Sequence, residues 1–312
     1  MIKDLVIKNF KTIKDLELNC KRVNIFIGRP NAGKSNILES IGIFSLPYGE
    51  LKDFIRFENM IDLFYDQILD EKIEIGADDK CVEVRFEDGQ FVGSGREVSF
   101  QFSYNGEGAV SYSADSPFKF YRFKVIERFA GREANFLRPP RGENLLMMLL
   151  TNKDLKRTVA DIFSEFGLKV ILKPQEYKIE LQKEVEGVGI SYPYSLVSDT
   201  LQRVVFHLLA IETNKDSILI FEEPEAHSFP YYTKFLSERI ALDKTNQYFI
   251  STHNPYLLLP LLGKAEKDEV NVFVTYFKEY QTKVKPLAEE KIQKILDLDI
   301  DLFFNLDRFL EK

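Results

Sequence analysis

The chain has no tryptophan, only two cysteines and three histidines, and no apolar run long enough to cross a bilayer. Each shortage removes a class of protein. Cys20 and Cys81 stand far apart with no C-x-x-C pair, so neither a disulfide framework nor a cysteine zinc site is expected, and a reducing cytoplasm is the default location. Without an apolar stretch of about 18 residues, no membrane partner is expected. The opening Met1-Ile2-Lys3-Asp4-Leu5-Val6-Ile7-Lys8 reads as a charged strand, not a secretory signal. A net charge of −7 excludes a protein that is basic over its whole surface, as many nucleic-acid binders are. What is left is a core-forming composition, 45% hydrophobic and 29% charged over 312 residues, enough for one large domain or two modest ones.

The most informative segment is Gly28-Arg29-Pro30-Asn31-Ala32-Gly33-Lys34-Ser35, which has the G-x-x-x-x-G-K-[ST] spacing of a phosphate-cradling P-loop. The apolar run Val23-Asn24-Ile25-Phe26-Ile27 before it reads as a buried strand. Ile37, Leu38, Ile41 and Phe44 after it fall at helical spacing. Glycines at both ends let the loop wrap an anion, and the backbone N–H groups and helix N-terminus point at it. Lys34 would meet the β- and γ-phosphate oxygens, and Ser35 would offer a hydroxyl to Mg2+.

Two later strands carry polar tips. Ser217-Ile218-Leu219-Ile220-Phe221 runs into Glu222-Glu223-Pro224-Glu225-Ala226-His227, a Walker B pattern. Glu222 would hold Mg2+, through water, and Glu223 would orient and deprotonate the attacking water, although an ordinary strand end can also carry two glutamates. Gln247-Tyr248-Phe249-Ile250 ends in Ser251-Thr252-His253-Asn254-Pro255. His253 there could reach a γ-phosphate or the water, or be a turn histidine beside an asparagine helix cap. Ser198 opens an amphipathic helix, where capping and anion binding are compatible roles. His227 is expected in a loop at the site edge and His207 in helix packing.

The remaining pattern predicts two paired strands before residue 20, a helix over 34–46 stopping before Pro47, a weakly helical stretch over 50–66, and period-two alternation over 71–126. Helical spacing returns over 143–166, with Gly167 as its stop, and a hairpin follows at 168–182. Helices over 199–213, 229–241 and 255–262 then alternate with strands over 217–221, 247–250 and 270–276, which implies a parallel core sheet. The acidic stretch 288–312 reads as helical. The fold class is thus α/β, a single P-loop NTPase domain over 1–312 with a mostly parallel core sheet. Its subregions are a P-loop half (1–50), an antiparallel β-rich lobe (51–135), a helical lid and hairpin (136–198), a Walker B half (199–276) and a helical tail (277–312). Within 118–142, Lys119, Arg122, Lys124, Arg128, Arg132, Arg138 and Arg141 face only Glu127 and Glu133. Phe118, Phe120, Tyr121, Phe123, Phe129 and Phe136 interleave with these cations. Two readings are open: a basic, stacking DNA surface, or an edge strand with a charged outer face.

Taken together the motifs resemble the ABC-type ATPases of the SMC/RecF/OLD branch, in particular small prokaryotic AAA-labelled, ABC-like members related to the overcoming-lysogenization-defect proteins. Leu5-Val6-Ile7-Lys8-Asn9-Phe10-Lys11-Thr12 resembles that branch's opening, and Gly33-Lys34-Ser35-Asn36 with Leu38-Glu39-Ser40-Ile41 resembles its GKSN-x-LEA segment. Glu223-Pro224-Glu225-Ala226-His227 matches its EPE-x-H, and Ser251-Thr252-His253-Asn254-Pro255 its switch loop. The resemblance implies an ABC-ATPase-like core that binds and hydrolyses Mg2+-ATP. The nucleotide would lie between two chains, the P-loop of one facing Ser198 of the other, with Lys11, Thr12 and Asn36 near the nucleotide. It also implies a DNA-related role in repair or phage defence. Departures from the family pattern are Glu222 for the usual aspartate, Asp199-Thr200 where small glycines are expected, and no assignable Q-loop glutamine, with Arg138 and Arg141 as candidates leading into the lid. There is no long coiled coil and no CxxC hook. No room is expected for a Toprim nuclease after the switch loop, so any nuclease or effector would be a separate chain. Two other functions compete. One is a nucleotide-binding scaffold without turnover. The other is an Era-like GTPase, suggested by the wording of the P-loop but opposed by the lack of D-x-x-G and N-K-x-D.

Overall fold

The computed structural model describes residues 1–113, 115–132, 134–298 and 303. Glu133 and most of the stretch after residue 298 lie outside them. The strands are β1 (Asp4–Phe10), β2 (Ile13–Asn19), β3 (Val23–Ile27), β4 (Ile73–Ala77), β5 (Lys80–Glu87), β6 (Gln90–Gly95), β7 (Val98–Phe102), β8 (Gly108–Tyr112), β9 (Phe118–Tyr121), β10 (Lys169–Lys173), β11 (Lys178–Val185), β12 (Val188–Pro193), β13 (Ile218–Glu222), β14 (Gln247–Ser251), β15 (Val270–Lys278) and β16 (Gln281–Pro286). The helices are α1 (Lys34–Gly42), α2 (Leu51–Phe54), α3 (Leu145–Thr151), α4 (Lys153–Ser164), α5 (Asp199–Thr213), α6 (Pro230–Leu242), α7 (Pro255–Lys264) and α8 (Glu289–Leu298).

The core sheet has the order β16-β15-β3-β14-β13-β9, parallel from β15 to β9, with β16 antiparallel at one edge. All five residues of β3 and of β14 are buried, as befits parallel strands covered on both faces. The faces separate by period two. Ile218, Ile220, Phe249 and Phe26 join α1 and the lobe in one apolar cluster, whereas Leu219, Phe221, Tyr248 and Ile250 join α5, α6 and α7 in the other. The second sheet is antiparallel, β2-β1-β4-β5-β6-β7-β8. Helix α1 therefore lies between two sheets, and its N-terminus emerges where β3, β14 and β13 all end. That end of a parallel sheet is where such folds bind ligands.

Several expectations need correction. Strand β9 belongs to the core sheet, paired parallel to β13, and not to the antiparallel lobe. It is an edge strand, as one reading required, but all four of its residues are buried, so it has no charged outer face. Lys119 Nζ donates to Asn214 Oδ1 and Ser217 Oγ and sits 3.5 Å from the centre of the Phe136 ring. Burial lowers its pKa to about 8. The first helix passes into a 3-10 turn over Ile43–Tyr48 that contains Pro47, so proline did not stop the chain there. Only α2 and short 3-10 turns stand in 50–66. Helix 143–166 breaks at Asn152, whose side chain caps α4 by accepting from Asp154 N and Leu155 N, while Gly167 does end α4 at φ +68°. The hairpin after it has a third strand, β12. The supposed helical tail from 277 begins as the β15–β16 hairpin, and of the rest residues 287–298, which include α8, and residue 303 fall among the described residues.

Phe120 tests the placement of β9. It is fully buried against Phe54 and Gly42, so Phe120→Ala should cost about 3–5 kcal/mol in denaturant unfolding. A cost near zero would return β9 to an exposed surface.

Candidate functional site

The P-loop closes on itself. Lys34, the first residue of α1, is 6% exposed, and its Nζ donates to Gly28 O at 2.9 Å and Arg29 O at 3.0 Å. Burial lowers its pKa, opposed by the charges of Glu223 and Glu222. Gly33 holds φ +95°, and a Cβ there would fall 1.9 Å from Thr282 Oγ1. Thr282 in turn meets Thr12 Oγ1 at 2.7 Å, and Asn36 Nδ2 donates to the same Thr12 hydroxyl at 2.7 Å. The turn after β1 and the β15–β16 hairpin thus clamp the loop. Above it opens a hollow of 870 Å³ lined by Lys11, Thr12, Pro30 to Asn36, Glu39, Arg56, Glu223, His253 and Phe277. That volume is within the range of small-molecule sites.

The tips of β13 and β14 are in register, Glu222 opposite Ser251. Beyond them the chain turns sharply, with Glu223 at φ +46° and its N–H bonded to Ser251 O at 3.0 Å. His253 Nε2 lies 3.1 Å from Glu223 Oε1, and both side chains are part-exposed on the hollow. Asn254 also caps α7, accepting from Tyr256 N, as the turn reading of that loop expected. Glu222 faces another way: Oε1 accepts from Arg56 at 2.8 Å, and Oε2 lies 3.3 Å from Arg122. The same arginines bind the fully buried Glu39, at 2.7 and 3.0 Å, and Lys11 pairs with it as well. Burial pushes the Glu39 carboxyl up, but Lys11 and Arg56 outweigh it and hold the group below its ordinary range.

Glu39, Arg56, Arg122 and Phe277 were not anticipated as site residues. Glu39 left one signal: a charge among the apolar residues of α1, which must find a partner when buried. Arg122 stands just past β9, whereas Arg138 and Arg141 are drawn away, Arg138 over the Tyr48 ring and Arg141 to Asp53 at 2.6 Å.

Ser198 does not line the hollow. It stands at the start of α5, exposed, and its hydroxyl makes no capping bond, contrary to expectation. Asp199 pairs with Arg203 at 2.7 Å, and Thr200 Oγ1 donates to His227 O at 2.9 Å. His207 is buried, with Nδ1 2.9 Å from Arg203 O, and burial lowers its pKa to about 3. The basic stretch 118–142 is no stacking platform, because Phe118, Phe120, Tyr121 and Phe129 are buried and Phe123 packs on the core. Lys124, Arg128 and Arg132 remain exposed.

A P-loop strand followed on one side of a parallel sheet by a histidine-tipped and then a glutamate-tipped strand has the arrangement of an ABC-type P-loop core. Residues 1–161 match the family model described as an AAA ATPase domain, and residues 111–259 match one described as an AAA domain, putative AbiEii toxin, Type IV TA system. The chain therefore belongs to the AAA ATPase domain family. A 76-residue stretch is 40% identical to the DNA replication and repair protein RecF of Streptococcus gordonii (strain Challis), covering 23% of this chain and 21% of that protein. The match thus spans about a fifth of that relative's length. In fold the chain is similar to an Smc head bound to the C-winged helix domain of ScpA, with TM-score 0.57, 15% identity and 94% and 99% of the two chains covered. It is also similar to the Pyrococcus furiosus Smc head with an extended coiled coil bound to the C-terminal domain of ScpA, with TM-score 0.56, 14% identity and 96% and 99% covered. Among the described residues no helix is long and apolar enough to cross a membrane.

Glu225, the third acid of the Walker B loop, is 4% exposed. It bonds Thr252 Oγ1 at 2.5 Å, and its Oε2 has no hydrogen-bond partner among the described residues. Burial pushes its carboxyl from 4.5 up to about 7. The folded protein then keeps a proton that the unfolded chain releases, so this group's contribution is full below 4.5 and is lost as pH rises through about 7. Glu225→Gln, which cannot ionise, should gain stability relative to wild type between pH 5 and pH 8 in urea unfolding. A difference that stays constant with pH would contradict the raised pKa.

Proposed function

We propose that the chain is a Mg2+-dependent ATPase that closes as a homodimer around its nucleotide and serves a DNA-related process such as repair or phage defence. The observation that carries this reading is Lys34, a buried cation that donates to two carbonyls and, among the described residues, to no carboxylate, in a hollow that also presents the Glu223–His253 pair. A triphosphate would supply the missing negative charge. Glu223 would take the proton of the attacking water, His253 would steady that carboxylate or the γ-phosphate, and Lys34 would hold the β- and γ-oxygens. Arg56 reaches the same hollow and would face the charge that develops there.

The Ser35 hydroxyl, which lines the hollow, is a hard oxygen donor that suits Mg2+, whereas Glu222 is held by Arg56 and Arg122 and would have to turn from them to reach the ion through water. When bound, that ion would neutralise β- and γ-oxygen charge. Support for the dimer is the family motif set together with the exposed Ser198 and a Leu196 that is 76% exposed. The DNA-related role is supported by the RecF match and the exposed Lys124, Arg128 and Arg132. Asp199 at the first turn of α5 favours one other reading, a nucleotide-binding scaffold without turnover, because it sets a carboxylate where a partner's phosphate would sit.

Phosphate release with ATP and with GTP, in the presence and absence of DNA, decides between engine, scaffold and GTPase. Glu223→Gln should slow ATP turnover at least about 100-fold while keeping binding, and should accumulate as a dimer in ATP and Mg2+ by light scattering. Lys34→Ala should abolish binding. A Glu223→Gln variant that stays monomeric with bound ATP would sink the sandwich.

A further inference from the structure

The site has a direction. In the core sheet, β14 and β13 lie on one side of β3, and their tips bring His253 and Glu223 to the hollow. Strand β15 lies on the other side. Its Val274 pairs with Ile27, the last residue of β3, so Thr275 to Lys278 continue past the start of the P-loop. Phe277 sits on that extension, lines the hollow and is 50% exposed. A phosphate cradle therefore has acid–base groups at one flank and an aromatic ring at the other.

The ring is firmly placed. Phe277 pairs with Thr282, and the strands are joined by two left-handed residues, Glu279 at φ +53° and Tyr280 at φ +60°, as in a type I′ turn. Thr282 is tied to Thr12 by both its backbone N–H and its hydroxyl and packs on Gly33. Any shift of the hairpin would disturb the P-loop itself.

We propose that Phe277 is the base-stacking residue of the site, receiving the face of the nucleobase while the terminal phosphate points to Glu223. This rests on the reading that a nucleoside triphosphate fills the hollow and adds its orientation and the group that holds its base. A stacked ring reads no base edge, so the contact favours nucleotides over bare polyphosphate without choosing strongly among bases.

The test is calorimetric titration of the full chain, with Mg2+ present, against ATP, GTP and inorganic tripolyphosphate. Phe277→Ala should weaken ATP and GTP about tenfold or more and leave tripolyphosphate unchanged, which also shows that the loop remains folded. Phe277→Tyr should bind like wild type. Phe277→Leu, which keeps bulk without a π face, should behave like the alanine variant. Unchanged ATP affinity in Phe277→Ala, or an equal loss of tripolyphosphate, overturns the stacking role alone. Wild-type protein that binds neither ATP nor tripolyphosphate overturns the nucleotide reading with it.

Discussion

The charge on Glu39 is the constraint around which the site is built. It sits on α1, wholly out of solvent, with Lys11, Arg56 and Arg122 around it. These cations come from three separate places: the turn after β1, the loop after α2, and the chain just past β9. A buried carboxylate stripped of such partners leaves an uncompensated charge that costs several kcal/mol. The three segments are therefore held against the helix that follows the P-loop. Because Arg56 and Arg122 also grip Glu222, the network crosses from α1 to the tip of β13. One ion cluster thus joins the two sheets at the place where the hollow opens.

The sheet supplies the second constraint. Strands covered on both faces are apolar along their length, and the apolar runs of β3, β14 and β13 give way to polar residues at the same end of the sheet. Their polar ends consequently fall side by side. Glu223 and His253 lie 30 residues apart in sequence and 3.1 Å apart in space, with positive φ at Glu223 absorbing the turn out of the strand. Glu225 then sits beneath the pair, bonded to Thr252, so the Walker B loop and the switch loop share a buried contact.

Local patterns made the P-loop turn, the acids at the tip of β13 and the histidine just past β14 legible as candidates, because each is a contiguous run whose strand-and-turn context is local. The parallel core followed from alternation of apolar strands and helices. What could not be read were features set by distant partners. Lys119 interrupts β9 with a charge and gives it an edge-strand look, yet it is paid back by Asn214, Ser217 and the Phe136 ring, close to a hundred residues away for the first two. The aromatic spacing in 118–142 suits an exposed platform and a buried edge equally well until the helices that cover it are known. Arg56 and Arg122 look like surface arginines until Glu39 and Glu222 are placed beside them. Phe277 lay in a stretch assigned to a helical tail, where its register against β3 had no meaning.

Lys34 shows why a folded chain would keep so costly a group. Desolvation disfavours its charge, and the acids nearest to it are otherwise occupied: Glu222 by two arginines and Glu223 by His253. The carbonyls of Gly28 and Arg29 hold the ammonium but cannot neutralise it. Stability alone would favour an apolar residue at that position. The same arrangement becomes favourable once an anion occupies the P-loop, because a charge already stripped of water attracts it more strongly than a hydrated one. With Gly33 barred from carrying a side chain by Thr282, the loop backbone stays open to that anion. An unneutralised cation and an open loop backbone are concentrated at one point, where a bound anion would satisfy both.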